Sequence, residues 1–110
     1  MSNDKIVKGS GNVFRDLGFK NAEEVSLKVE LTRQIAELIR GKGLTQSAAA
    51  KLLKIDQPQV SRLVAGRPTN FSAERLMALL TILGRNVDVV VRPKRRSQER
   101  GIVRVVEARS

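Results

Sequence analysis

A chain of 110 residues is long enough for one core and too short for two, and its 21 Lys and Arg against 11 Asp and Glu leave a net charge of +10 that favours an acidic partner such as a phosphate backbone. The absence of Cys excludes a disulfide framework or a thiolate metal site and makes a reducing cytoplasm the simplest compartment, while the absence of His removes the usual general base. Three Phe with no Tyr or Trp leave little for stacking on single strands, and no apolar stretch approaches the ~20 residues that span a bilayer, so no membrane partner is expected.

Residues 1–12 are polar, lack a signal-peptide segment and read as a flexible lead. Val13, Phe14, Leu17 and Phe19 then form a small apolar cluster, either a cap over the core or a surface for a partner. From Asn21 the residues NAEE supply a cap and an acidic first turn. Val25, Val29, Ile35, Leu38 and Ile39 continue at helical spacing to Gly41 and Gly43, which predicts a long amphipathic helix. Its Glu30 and Glu37, interleaved with Lys28, Arg33 and Arg40, read as a solvated face and not as a catalytic pair.

Thr45 opens a short helix through Leu53, and Asp56 or Gln57 caps another through Ala65 that Gly66, Arg67 and Pro68 end. Ser72 caps a further helix with Leu76, Leu79, Leu80 and Leu83 on one face, stopped by Gly84; Met77 and Ile82 lie off that stripe. Val87 to Val91 and Ile102 to Val106 are β-branched runs that predict two short strands, paired with each other or with a second subunit. The division expected is a lead over 1–12, a folded domain over 13–91 ending in a short strand, and a basic linker with a C-terminal strand over 92–110. Charge follows it: residues 1–40 are nearly balanced, whereas 92–110 carry seven basic and two acidic side chains. The linker Arg92 to Arg100 is either a solvated loop or an arm that grips phosphates.

Two short helices joined by a tight turn are the local shape of a helix-turn-helix, and Thr45 to Gly66 meets its demands together. Ala50 is placed where the helices cross, with Ala49, Leu52 and Leu53 inward on the first helix and Ile55, Val60 and Leu63 anchoring the turn and the second. Gln57, Gln59, Ser61 and Arg62 are left facing outward near the start of the second helix, where side chains reach base edges. Gln suits adenine, Arg suits guanine, and Pro58 is tolerated in the first turn with its ring free to touch a thymine methyl. Thr45 and Gln46 begin a helix whose amides can hold a phosphate, and Lys42 and Arg67 flank the pair as backbone grips.

TQ, an alanine at the crossing, Q-x-x-V-S-R and a closing glycine resemble the XRE family, the Cro and phage-repressor type, over roughly Glu23 to Arg85. The resemblance implies a five-helix domain, a homodimer, base contacts from Gln57, Pro58 and Arg62, and a phosphate contact from Gln46. One departure is Lys54 in the turn, where the family usually has a glycine with positive φ. GNVFRDLGF, the long helix and FSAERLMALLTILGRNVDVVV are further similar to HigA-like antitoxins, which implies autoregulation and a RelE-type or HigB-type toxin as partner.

The expected fold is therefore mainly α, a five-helix repressor-like domain with short C-terminal strands. The expected function is a cytoplasmic regulator, a dimer on an inverted repeat of double-stranded DNA that acts as a repressor. The alternative is an antitoxin that masks a toxin and feeds back on its own operon. No enzymatic motif and no cofactor or metal site is expected.

Overall fold

The computed structural model describes residues 21–108, and within them the chain forms four helices: α1 (Asn21–Gly41), α2 (Gln46–Leu53), α3 (Gln57–Ala65) and α4 (Ala73–Ile82). The flexible lead and the Val13 to Phe19 cluster lie outside the described residues. α1 is the spine, packing against both α3 and α4, while α2 packs against α3 and more lightly against α4. Leu27, Leu31, Ile35 and Ile39 repeat every fourth residue along α1 and are all buried. They meet Ala49, Ala50 and Leu53 of α2, Val60 and Leu63 of α3, and Leu76, Leu79, Leu80 and Leu83 of the α4 region in one cluster. Each fully buried Leu or Val in such a cluster contributes ~1.5–3 kcal/mol relative to exposure, so the inner faces of the short helices carry most of their own stability.

Several inward assignments differ from expectation. Val25 and Val29 are 52% and 60% exposed. At about 100° per residue they lie roughly 80° and 120° round from Ile35, on the flank of the stripe that α3 and α4 cover. Leu52 is 44% exposed, because Ala49, Ala50 and Leu53 already turn α2 inward. Off the α4 stripe, Met77 packs against the core half-buried, whereas Ile82 is 45% exposed.

The outer face of α1 is an ion-pair ladder. Arg33 bonds to Glu30 and Glu37 on its own helix and, at 3.3 Å, to Glu107 from the end of the chain. The hydrogen bond from Arg33 holds the Glu30 carboxyl below its ordinary value, and the same partners push the Arg33 guanidinium up. On an exposed face such pairs contribute little to stability.

The largest correction concerns the C-terminal quarter. The five-helix domain with C-terminal strands is replaced by four helices and no strand among the described residues. Residues 85–94 and 101–108 have no regular secondary structure and no backbone ladder between them. A β-branched run has a preference for extended backbone, but a strand exists only where a partner accepts its hydrogen bonds. Here the second run docks on a helix: Arg100 Nη2 donates to Glu23 Oε1 at 2.7 Å, and the Val103 amide donates to the other oxygen of that carboxylate. Val103 and Val105 then pack on the core beside α1, and Glu107 reaches Arg33. Four residues of extended chain from Val103 to Glu107 cover ~13 Å, close to the ~15 Å between Glu23 and Arg33 along a helix. The tail thus follows α1 as an extended strap.

Ala49 is fully buried and Ala50 is 8% exposed, so the inner face of α2 has no room for a larger side chain. Ala50→Leu is expected to cost ~1–3 kcal/mol by overpacking, and Ala49→Leu at least as much. Chemical denaturation of the two variants beside the parent checks this, and a neutral pair would show the helix contact to be looser than described.

Candidate nucleic-acid interface

α2 and α3 form a rigid pair because each end is closed by a specific bond. Thr45 Oγ1 accepts from the Ala48 amide at 3.0 Å and Asp56 Oδ1 from the Gln59 amide at 2.9 Å, so both helices begin on side-chain caps. Pro58 sits in the first turn of α3, where a missing N–H costs nothing. Gly66, at φ 71°, closes α3, with its amide on Leu63 and the Arg67 amide on Arg62 at 2.8 Å.

The turn between the helices is made by Lys54, the one non-glycine residue with positive φ among those described, at φ 59° and ψ 44°. Its left-handed geometry lets the Lys54 amide and the Ile55 amide both reach the Ala50 carbonyl, and brings Ile55 back against the core. A side chain in this region costs ~1–2 kcal/mol, a strain over-determined by the hydrogen bonds, the buried Leu53 before it and the half-buried Ile55 after it.

With Val60 and Leu63 fully buried, the opposite face of α3 is presented to solvent: Gln57, Pro58, Ser61 and Arg62 are exposed. Pro58 and Arg62 stand one turn apart and share an open groove of about 310 Å³ with Asp56, Gln59, Pro68, Thr69 and Asn70. Gln59 differs from the other four, being half-buried with its Oε1 closed to solvent and without a hydrogen-bond partner.

The sequence profile described as a helix-turn-helix domain matches residues 13–92. A solved structure whose name assigns it, provisionally, to the XRE family of transcriptional regulators aligns at TM-score 0.75 and 40% identity, over 81% of this chain and 100% of that one. The chain belongs to the XRE family. No curated protein matches it.

Within this XRE domain the sequence-predicted residues lie at three places. Gln57, Pro58, Ser61 and Arg62 share the outer face of α3, and Thr45 and Gln46 are exposed at the N-terminal end of α2, where first-turn amides and the helix dipole favour an anion. Arg67 is exposed just beyond α3. Lys42 is exposed as well, but its Nζ lies 3.9 Å from where a Cβ on Gly84 would stand, so its charge rests at the end of α4.

Two contributions were not read from the sequence. Arg40, near the end of α1, donates Nη2 to the Val64 carbonyl at 2.8 Å and so ties the last turn of α3 to the spine. Nothing in a lone arginine on a solvated helix face signals such a long-range bond. Phe71 packs against the core with the Arg75 guanidinium 5.3 Å from its ring centroid, fixing the path of the loop that carries Thr69 and Asn70. Among the described residues no helix is long and apolar enough to cross a membrane, and no His, Cys, Asp or Glu cluster has the arrangement of a metal site.

Replacing Lys54 by glycine removes the left-handed penalty while leaving the bonds to Ala50 in place. Lys54→Gly is expected to raise stability by up to ~1 kcal/mol, after the unfolded-chain entropy of glycine is set against the relieved strain. Thermal unfolding of the variant checks the sign; a loss of stability would mean that the lysine side chain makes a compensating contact.

Proposed function

We propose that this XRE protein is a sequence-specific repressor that binds double-stranded DNA as a homodimer, placing α3 of each subunit in successive major grooves of an inverted repeat. The observation that carries this reading is the division of α3 into a sealed face, Val60 and Leu63, and an exposed polar face of Gln57, Pro58, Ser61 and Arg62. In this reading Arg62 pairs with guanine, Gln57 with adenine, Pro58 touches a thymine methyl, and Ser61 reaches a base or a phosphate. Gln59 is the weakest of the proposed base readers, since its sealed Oε1 has to turn outward before it can accept from a base. Thr45 and Gln46 hold a phosphate at the start of α2, and Lys42 and Arg67 grip the backbone on either side.

What supports a dimer is the run Val89, Val90 and Val91, exposed at 80%, 63% and 90%, an apolar segment that a single copy leaves in water. The HigA-like antitoxin role differs from repression alone by one added partner, a RelE-like or HigB-like toxin. Co-purification with the product of a neighbouring short reading frame separates the two.

The assigned roles separate in a binding experiment. Duplexes selected from a random library should converge on an inverted repeat bound at least ~10³-fold more tightly than mixed sequence. On the selected duplex Arg62→Ala should cost ~1–3 kcal/mol and relax preference at one base position. Arg67→Ala should weaken all duplexes alike and flatten the salt dependence by about one phosphate. Equal behaviour of the two variants would overturn the division into base-reading and backbone contacts, and uniform binding to every duplex would overturn the repressor reading itself.

A further inference from the structure

The segment Arg95 to Arg100 is held in one shape. The Arg95 amide donates to Gln98 Oε1 at 3.1 Å, the Gln98 amide to the Arg95 carbonyl at 3.0 Å, and Gln98 Nε2 to the Arg100 carbonyl at 3.3 Å. One glutamine therefore closes the turn through both its backbone and its side chain. The base of the turn is fastened by Arg100 on Glu23, and Val87 packs against the core on the incoming side. Arg95 and Arg96 lie in this clamp and Arg92 and Lys94 on the chain that enters it, all exposed, and none forms an ion pair with a carboxylate among the described residues. Four like charges within five residues repel one another, and a polyanion offsets that repulsion.

The position of the turn matters as much as its charge. Its base is tied to Glu23 near the start of α1, whereas the last turn of α3 is tied to Arg40 near the end. Those residues are seventeen positions apart on one helix, about 25 Å along its axis. The turn and the last turn of α3 are therefore anchored at opposite ends of α1.

We infer that the basic segment Arg92–Arg96, which leads into the clamped turn, is a second DNA-backbone site, which binds phosphates outside the base pairs read by α3. Those phosphates belong either to the flanks of the same duplex, drawn round the subunit, or to a second duplex that the protein holds alongside the first. The site carries no sequence information, because its contacts are charge-assisted bonds to phosphate. It raises affinity and steepens salt dependence without altering the preferred sequence.

The inference rests on the duplex-binding reading of the domain, and the experiment keeps the two apart. The full chain is compared with R92Q/K94Q/R95Q/R96Q, which removes the charge, and with R92K/R95K/R96K, which keeps it; circular dichroism confirms the fold of each. Three readouts are taken: the sequence enriched from a random library, the salt slope on the enriched site with and without long mixed-sequence flanks, and retention of a labelled mixed-sequence duplex by protein already bound to immobilised enriched duplex. The neutral variant is expected to enrich the same sequence as the parent. On the flanked duplex, or in the retention assay, it should lose roughly 3 to 4 from the log–log salt slope per chain and at least ~10-fold in binding, with the lysine variant close to the parent. Loss confined to the flanked duplex assigns the phosphates to the same DNA, and loss of retention assigns them to a second one. If the neutral variant matches the parent in both assays, or the lysine variant fails as badly as the neutral one, the inference is overturned. If the parent enriches no sequence, the operator-reading proposal fails instead, whatever the turn does.

Discussion

Burial of Val60 and Leu63 is the constraint on which the rest depends. These two residues have no exposed surface, and they fix the rotation of a nine-residue helix too short to be stable by itself in water. Once they are inside, the outward positions of Gln57, Pro58, Ser61 and Arg62 follow from helix geometry. The two alanines of α2 make that burial possible by allowing the neighbouring helix to approach, and the strained backbone at Lys54 delivers the chain from one helix to the other within a single tight turn. A candidate reading surface on a small domain is thus rigid because its reverse side is a hydrophobic core.

α1 serves as a spine in two senses. Its inner stripe of Leu27, Leu31, Ile35 and Ile39 is the floor against which α3 and α4 pack. Its polar positions organise what lies beyond the core: Arg40 ties down the end of α3, Glu23 anchors the returning tail, and Arg33 gathers Glu30, Glu37 and Glu107. The bonds of Arg33 are individually modest, since their side chains are partly exposed, whereas the Glu23 carboxylate is only 12% exposed. Together they hold the last turn of α3 at one end of α1 and the returning tail at the other, which is a geometric role more than an energetic one.

Legibility differed along the chain for physical reasons. The Thr45, Asp56 and Ser72 caps, the ends at Gly66 and Gly84, and the leucine stripe of α4 were readable because capping and amphipathic periodicity are local properties. The turn at Lys54 was placed by family resemblance, and the observed left-handed backbone matches it. Val25, Val29 and Leu52 are expected inward from helical spacing but lie outward, because a residue is buried only where a neighbouring element covers it. The exposed face of α3 was anticipated except at Gln59, whose flank position brings it under the loop carrying Thr69 and Asn70.

The sequence by itself determined the helix-turn-helix, its caps, and which side of α3 is polar, since these depend on residues within a few positions of one another. Tertiary structure decided the fate of the C-terminal quarter. The β-branched runs over 87–91 and 102–106 carry a preference for extension but not the identity of their partner. For the second run that partner is the side of α1, reached through Glu23, Arg33 and the core contacts of Val103 and Val105, and with no ladder available it becomes a strap, while Val89 to Val91 of the first run stay exposed. Contacts between residues some eighty positions apart, as between Glu23 and Val103, leave no periodic trace in a single chain, and only the folded arrangement reveals them.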